Sequence, residues 1–339
     1  MARSWGALEF DGHRVKPGAS AEIRLKVAES YTAEVVSIPV TVVRGGERGP
    51  TLFLTASIHG DELNGVGIIR DLLNDQPFAP LRGTLIAVPV ANVPAFLNQD
   101  RRLPDRRDLN RSFPGSPRGS LSSRLAHVLF QEVVRRADFG VDLHTAGGER
   151  SNYPQVRADL GHPGAAALAR AFGCTFLVHG GGPDRSLRRA ALKAGVPVVV
   201  YEAGSPRRLE RPLIEIGKAG VLNVLRHLGM LAGEPQPPAQ AFEVRETRWI
   251  RARAGGILDL KVELGQPVSK GEPLSVNTNP FGRERSVLRA PHPGVVLGLT
   301  RLPLVHPGDA ICHLAALGRD EMAAWRESWK RGTGRVAPG

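Results

Sequence analysis

The sequence predicts an α/β protein whose C-terminal region is built of β-strands alone. Between about residue 50 and residue 231, short apolar stretches alternate with stretches of helical periodicity. This alternation is typical of a largely parallel sheet flanked by helices. This alternation ends at a proline-rich stretch at residues 233–238. Short apolar segments interrupted by Gly and Pro follow. That second pattern favours a small β-barrel or sandwich over about 245–315.

The individual elements follow in chain order. Residues 1–50 contain short strand-like pieces such as 33–40. Apolar runs predict buried strands at 51–57, 84–90, 140–144, 174–178 and 196–201. Helical spacing predicts helices that begin at Asn64 and that cover 121–134, 165–172, 187–194 and 214–231. We expect the segments after His144, around 152–157 and over 179–186 to be loops that shape a pocket.

These patterns divide the chain into three parts. Residues 1–235 form an α/β domain that includes the N-terminal strands, residues 241–318 form a small β-barrel domain, and residues 319–339 form a polar tail. We expect the β-barrel domain either to cap the functional site or to pack against a neighbouring subunit. A homo-oligomer is therefore a possible assembly.

The composition is that of an ordinary globular protein, with 42% apolar and 23% charged residues in a chain of 339. No apolar run reaches the roughly 18–20 residues that a membrane span requires, so no membrane partner is expected. The first residues lack the apolar core of a secretory signal. Cys174 and Cys312 lie far apart in the sequence and suggest no disulfide scaffold. We therefore expect a cytoplasmic protein.

The formal net charge is +12. A basic balance points to a nucleic-acid partner, to an anionic substrate, or simply to a solvated arginine-rich surface. The sequence has no zinc-finger spacing, no RNA-binding aromatic motif and no basic heptad region. We therefore favour the solvated surface and expect no nucleic-acid partner, and a non-enzymatic binder of polyanions is the weaker alternative.

Two histidines and a glutamate stand at the ends of predicted strands. His59 and Glu62 are three residues apart just after the first buried strand, and His144 ends the strand at 140–144. In an open α/β sheet, ligands bind beyond the carboxyl ends of the strands. Two His and one Glu form a known catalytic zinc set that leaves a position for water. The sequence therefore predicts one Zn²⁺ per chain, although each residue alone also fits an ordinary polar side chain at a strand end.

Two further carboxylates occupy similar positions. Glu202 directly follows the apolar strand at 196–201. A carboxylate there can take a proton from an attacking water and pass it to a leaving amine. Asp142, two residues before His144, can orient a ligand imidazole. The alternative is that both are plain polar residues at the ends of a strand.

The segment over residues 101–115 is dense in arginine. Guanidinium groups bind carboxylates through paired hydrogen bonds and can stabilise an oxyanion. A solvated basic loop is the alternative. The segment lies between two strands whose ends carry metal-ligand candidates, which favours a functional role.

Four short motifs together resemble the succinylglutamate desuccinylase/aspartoacylase family, a branch of the zinc carboxypeptidase-like fold. They occur in the family's order at residues 59–62 (HGDE), 108–111 (DLNR), 142–145 (DLHT) and 201–204 (YEAG). The resemblance covers about 45–230, and the β-rich C-terminal region is similar to that of bacterial members. It implies a mixed, largely parallel sheet flanked by helices.

The resemblance also implies roles for individual residues. His59, Glu62 and His144 would bind zinc, and Glu202 would be the general acid/base. An arginine ahead of the DLNR motif would polarise the scissile carbonyl; Arg101 fits this role best.

Arg102, adjacent to Arg101, is its rival and otherwise a substrate-binding candidate. Asn110 and Arg111 would hold a substrate carboxylate. The expected partner is thus a small carboxylate-bearing substrate, and the reaction is hydrolysis of an N-acyl amino acid or a related small amide. A zinc carboxypeptidase that acts on small peptides or amino-acid conjugates is the alternative.

Overall fold

The computed structural model describes residues 6–29, 32–75 and 81–335. Within these residues the strands are β1 Leu8–Phe10, β2 His13–Val15, β3 Ser20–Glu29, β4 Val35–Arg44, β5 Glu47–Ala56, β6 Arg82–Val88, β7 Phe139–His144, β8 Arg150–Ala158, β9 Phe176–His179, β10 Val198–Gly204, β11 Phe242–Val244, β12 Thr247–Arg251, β13 Gly256–Leu260, β14 Pro267–Val268, β15 Pro273–Thr278, β16 Glu284–Arg289, β17 Gly294–Thr300, β18 Leu304–Val305 and β19 Ala310–Ala315. The helices are α1 Asn64–Asp75, α2 Val93–Leu97, α3 Leu121–Glu132, α4 Pro163–Phe172, α5 Leu187–Lys193, α6 Arg211–His227 and α7 Arg319–Lys330, with 3-10 turns at Leu109–Arg111 and Val134–Arg136.

A mixed sheet of thirteen strands in the described part of the chain forms the body of the molecule. Its main path runs β12-β19-β17-β8-β10-β7-β5-β6-β4-β3. Only the centre, β10-β7-β5-β6, and the pairs β8-β9 and β9-β11 are parallel, and the other pairs are antiparallel. The α/β class and the mixed sheet are therefore confirmed, but the sheet is parallel only in its centre and at β8-β9-β11, not over most of its width.

Helices cover both faces of this sheet, as the alternating pattern predicts. On one face α1, α4 and α6 supply a core with Ile68, Phe172 and Val221. On the other face α3 and α5 supply a second core with Leu125 and Leu187. Burial of these apolar faces holds the helices against the sheet, at about 25 cal/mol for each Å² of apolar surface removed from water.

The strand β8 is missing from the sequence-based prediction, which expects a loop around 152–157. It lies between β10 and β17 and is almost wholly buried. Its sequence, RSNYPQVRA, has no apolar run because polar side chains occupy buried positions. Pro154 falls in the stretch where the pairing with β10 shifts register, and a bulge is one place where a strand tolerates proline.

The C-terminal region is β-rich, as predicted, and its strands lie in two sheets. β12, β14, β17 and β19 extend the large sheet, and β13, β15, β16 and β18 form a separate four-stranded sheet. The barrel form remains a prediction. After these strands α7 packs on the body, with Met322 and Trp325 buried and Trp325 Nε1 donating to the Gly265 carbonyl at 2.8 Å.

The parallel centre of the sheet determines where polar residues meet. β5, β7 and β10 run in the same direction, with Glu202 opposite His144 and Leu143 opposite Ala56. The residues that follow or end these strands therefore converge at one edge. None of the helices in the described ranges is long and apolar enough to cross a membrane.

Candidate active site

The converging strand ends open into a cleft of about 460 Å³. The chain leaves β5 through a turn closed by a backbone hydrogen bond from Glu62 N to His59 O at 3.2 Å. Asn92 supports the turn by donating to the Ile58 carbonyl at 3.0 Å. The turn directs His59 and Glu62 towards His144 at the end of β7, so the three residues predicted as metal ligands lie together.

Glu62 joins the two histidines. Its Oε1 lies 2.7 Å from His59 Nδ1, and its Oε2 lies 2.7 Å from His144 Nδ1. Each side chain offers one ligand atom, and these atoms all lie within 4.8 Å of one another. All three residues are buried. Two imidazoles and a carboxylate that converge in this way form the donor set of a catalytic zinc site.

The Nε2 atom of each imidazole faces an aspartate: Asp142 for His144 and Asp108 for His59. His144 Nε2 donates to Asp142 Oδ2 at 2.9 Å, and Asp142 in turn accepts from Thr55 Oγ1 at 2.8 Å. His59 Nε2 lies 3.2 Å from Asp108 Oδ1. Such partners fix the ring orientation, so that each Nδ1 faces Glu62 on the side where a metal ion would bind. The donor set and its supporting carboxylates thus fit zinc.

The electrostatics of the group follow from these contacts. Burial opposes ionisation of Glu62, but His59 and His144 outweigh it, so the pKa of this carboxyl lies well below its ordinary value. Burial also opposes protonation of His144, yet Asp142 and Glu62 raise its pKa well above the usual range. The cluster is therefore a place where positive charge is stabilised deep in the protein, as a metal-ion site requires.

Arg101 extends over the same group. Its Nη1 donates to Glu62 Oε1 at 3.3 Å, and its Nη2 donates to Asp108 Oδ2 at 2.9 Å. Gly147 lies against the guanidinium, and a side chain at this position would collide with Nη1. Arg102 does not line the cleft but a neighbouring surface depression, which shares Asp108 and Arg111 with it. Of the two candidate arginines, the structure brings only Arg101 to the metal-ligand candidates.

Glu202 lines the cleft from β10, one strand away from His144. Its Oε2 accepts a hydrogen bond from Asn152 Nδ2 at 2.9 Å. Its Oε1 lies 3.9 Å from Arg157 Nε. The carboxylate is thus held at the edge of the cleft on the strand next to the metal-ligand candidates.

Asn110 and Arg111 also line the cleft. Asp108 begins their 3-10 turn by accepting from Asn110 N at 2.8 Å. Asn110 Oδ1 accepts from Leu187 N at 2.9 Å, which ties the turn to the start of α5. Arg111 is exposed at the rim. The structure therefore gathers all of the predicted site residues except Arg102 around one cleft.

Among the further side chains that line this cleft are three arginines and a tryptophan for which the sequence predicts no role: Arg150, Arg157, Arg188 and Trp249. Arg188 is 9% exposed, and its Nη1 has no hydrogen-bond partner. Burial and the neighbouring Arg157 lower its pKa to about 10. Trp249 comes from β12 in the C-terminal region, so that region contributes directly to the cleft. From the sequence we expect the segments after His144 and around 152–157 to shape the pocket, and these segments include Arg150 and Arg157 but neither Arg188 nor Trp249.

Comparisons with known proteins agree with this geometry. The model of the succinylglutamate desuccinylase/aspartoacylase catalytic domain matches residues 48–228. The chain is 30% identical to the N-alpha-acetyl-L-2,4-diaminobutyric acid deacetylase of Halomonas elongata over 91% of this chain and 93% of that protein.

Solved structures show the same architecture. The product-bound ectoine utilization protein EutE (DoeB) from Ruegeria pomeroyi aligns with a TM-score of 0.81 at 27% identity, covering 88% of this chain and 95% of that one. The succinylglutamate desuccinylase/aspartoacylase from Rhodobacter sphaeroides aligns with a TM-score of 0.79 at 29% identity, with the same coverage. With a family model that spans more than half of its length and a relative that aligns along nearly all of it, this chain belongs to the succinylglutamate desuccinylase/aspartoacylase family.

Proposed function

We propose that the chain is a zinc-dependent deacylase that hydrolyses the amide bond of an N-acyl amino acid or a related small amide. The observation that carries the proposal is the buried His59–Glu62–His144 group in one cleft with Glu202 and Arg101. Family membership supports the deacylase class. When bound by these three residues, zinc would acidify a water molecule and polarise the scissile carbonyl.

Glu202 is the general acid/base in this proposal. Its carboxylate faces the cleft, and the strand pairing puts it beside His144. In the ionised form it takes a proton from the attacking water, and it then delivers that proton to the nitrogen of the leaving amine. The amine cannot leave as an anion at neutral pH, so this transfer is required for the amide to break.

Arg101 stabilises the charge that develops on the carbonyl oxygen. Its guanidinium is held by Glu62 and Asp108 beside the metal-ligand candidates. A donor that is already fixed needs no reorganisation when the charge appears, and one such donor commonly contributes a factor of about 10²–10³ in rate.

The charge of the cleft supports a substrate with a carboxylate. Asn110 and Arg111 lie at one side, and Arg157 and Arg188 lie beside Glu202. An N-acyl amino acid carries its carboxylate two bonds from the nitrogen that Glu202 protonates. A basic environment close to Glu202 is therefore where that carboxylate would lie. The name of the Halomonas relative, a deacetylase of an N-acetylated amino acid, supports the same substrate class.

The test is a hydrolysis assay with the zinc-loaded protein on N-acetyl and N-succinyl amino acids, with dipeptides in parallel. We expect one zinc per chain, release of a free amino acid, and loss of both metal and activity in His59→Ala. His227→Ala, at the exposed end of α6, is the matched control and should retain both. A fully active metal-free protein would contradict the proposal. Cleavage of dipeptides but not of N-acyl amino acids would favour the carboxypeptidase alternative.

A further inference from the structure

Asn152 is the direct neighbour that orients Glu202. Its Nδ2 donates to Glu202 Oε2 at 2.9 Å, and the side chain is 6% exposed. A buried amide of this kind has a restricted set of positions, so its hydrogen bond selects one orientation of the carboxylate. The position of Asn152 is therefore a determinant of where the Glu202 oxygens lie.

The place of Asn152 depends on the C-terminal region. Asn152 is on β8, and its partner across the ladder is Gly298 on β17. Gly298 in turn pairs with His313 on β19, and His313 pairs with Trp249 on β12. These residues form one row across four strands, because directly opposed residues in neighbouring strands have side chains on the same face. The row ends at Asn152, whose amide donates to the Glu202 carboxylate.

Gly298 is the member of this row that has no side chain. A Cβ at this position would lie 3.0 Å from Asn152 Oδ1 and 3.3 Å from the Cβ of His313. Both neighbours are buried, with His313 3% exposed, so neither can move into solvent. Glycine inside a strand commonly marks a close approach of this kind. An alanine here would therefore require the Asn152 amide or His313 to shift by a few tenths of an ångström.

We propose that Asn152 is a positioning residue for Glu202, and that β17 sets its position through Gly298. This inference rests on the proposed role of Glu202 as general acid/base. It makes the C-terminal β-region a part of the catalytic arrangement, because β17 fixes the side chain that holds the proton-transferring group. The sequence alone predicts only that this region caps the site or binds a neighbouring subunit.

The test uses Asn152→Asp, Asn152→Ala, Gly298→Ala and the double variant Asn152→Ala/Gly298→Ala in the zinc-loaded full chain. Asn152→Asp keeps the shape, removes the amide donor and sets a second carboxylate against Glu202; general acid–base catalysis contributes about 10²–10⁴ in rate, so we expect kcat to fall about tenfold or more. KM and zinc content should stay within about twofold of the wild type. Gly298→Ala should lower kcat several-fold in the same way.

The double variant separates positioning from a general packing defect. If Gly298 acts through the Asn152 amide, adding Gly298→Ala to Asn152→Ala should not lower kcat further, because coupled residues are non-additive. Gly46→Ala is the matched control, since an added Cβ there meets nothing within 4 Å, and it should keep the wild-type kcat. Melting temperatures report any loss of folding. If Gly298→Ala is unstable, Asn152→Asp still tests whether the Asn152 amide affects kcat.

Three outcomes would overturn the inference: unchanged kcat in Asn152→Asp, an effect of Gly298→Ala no larger than that of Gly46→Ala, or additive losses in the double variant. Glu202→Gln distinguishes this failure from failure of the proposed function. If Glu202→Gln retains activity, the role of Glu202 is wrong. If it loses activity while Asn152→Asp does not, only the positioning inference is wrong.

Discussion

The indole of Trp249 stacks on the imidazole of His313, with ring centroids 4.6 Å apart and the planes inclined by 12°. Trp249 lines the cleft, whereas His313 lies behind it and is 3% exposed. Burial, with Arg157 and Arg150 nearby, lowers the pKa of His313 to about 3. His313 is therefore a neutral ring under the wall of the cleft at neutral pH.

This burial predicts an acid-sensitive contribution to stability. Unfolded His313 takes up a proton near pH 6.5, but the folded ring resists protonation down to about pH 3. Between these values the unfolded state binds more protons, so stability is lost as pH falls, by about 1.4 kcal/mol per pH unit below 6.5 at most.

The measurement is the free energy of unfolding from pH 8 to pH 5 for the wild type and His313→Gln. Above pH 7 the difference between the two proteins should be constant. Below pH 6.5 the wild type should lose stability more steeply than the variant. Parallel curves over the whole range would show that His313 takes up its proton at the same pH in the folded and unfolded states, which would contradict the prediction.

Arg101 and Arg102 should differ sharply in function. Arg101 contacts Glu62 and Asp108, whereas Arg102 lines only the neighbouring depression and contacts none of the metal-ligand candidates in the described structure. We expect Arg101→Ala to lower kcat by about 10²–10³, the usual loss when one oxyanion donor is removed. Arg102→Ala should change kcat and KM by less than about twofold. Steady-state kinetics with zinc content measured on each sample makes the comparison, and equal losses in both variants would contradict it.

The sequence predicts the site best where function depends on the ends of parallel strands. His59, His144 and Glu202 follow or end apolar runs, and parallel neighbours bring such ends together without any knowledge of loop geometry. The choice between Arg101 and Arg102 required the structure, because a one-residue shift in a loop decides which guanidinium enters the cleft.

The side chains around Glu202 were harder to predict because they depend on non-local pairing. Asn152 and Arg157 are on β8, where polar residues fill buried positions and the apolar pattern of a strand is absent. Trp249 is about fifty residues beyond Glu202 and reaches the cleft only because β17 pairs with β8. Periodicity reports which face of an element is buried, but it does not report which distant strand becomes its neighbour.

Removal of the metal should destabilise the fold as well as abolish activity. Buried Glu62 contacts both imidazoles, and an ion that binds only the folded state adds about 2.7 kcal/mol when its free concentration is 100 times the Kd. We expect a chelator to lower the melting temperature of the wild type by several degrees. His59→Ala, already without metal, should show no further decrease. A chelator effect of equal size in both proteins would indicate an action elsewhere in the chain.

Arg188 should contribute to substrate binding but not to the stability of the fold. The guanidinium is 9% exposed, its Nη1 has no partner, and its pKa is lowered to about 10 by burial and Arg157. A buried charge with an unsatisfied donor is unfavourable even with Glu202 nearby, and replacement of a buried ion pair by apolar residues is often neutral or stabilising by about 1–4 kcal/mol. We therefore expect Arg188→Met to unfold at the same or a higher temperature than the wild type.

The same substitution should weaken the binding of a carboxylate-bearing substrate. An anion in the cleft would supply the hydrogen-bond partner that Arg188 Nη1 lacks, and loss of one member of a buried charge pair commonly costs about 2–5 kcal/mol, so KM should rise at least tenfold. Arg189→Met is the control, since the Arg189 guanidinium lies outside the cleft and pairs with Asp184 at 3.3 Å. A lower melting temperature for Arg188→Met together with an unchanged KM would contradict both expectations. It would show that the Arg188 guanidinium stabilises the fold through contacts within the protein and does not bind the substrate anion.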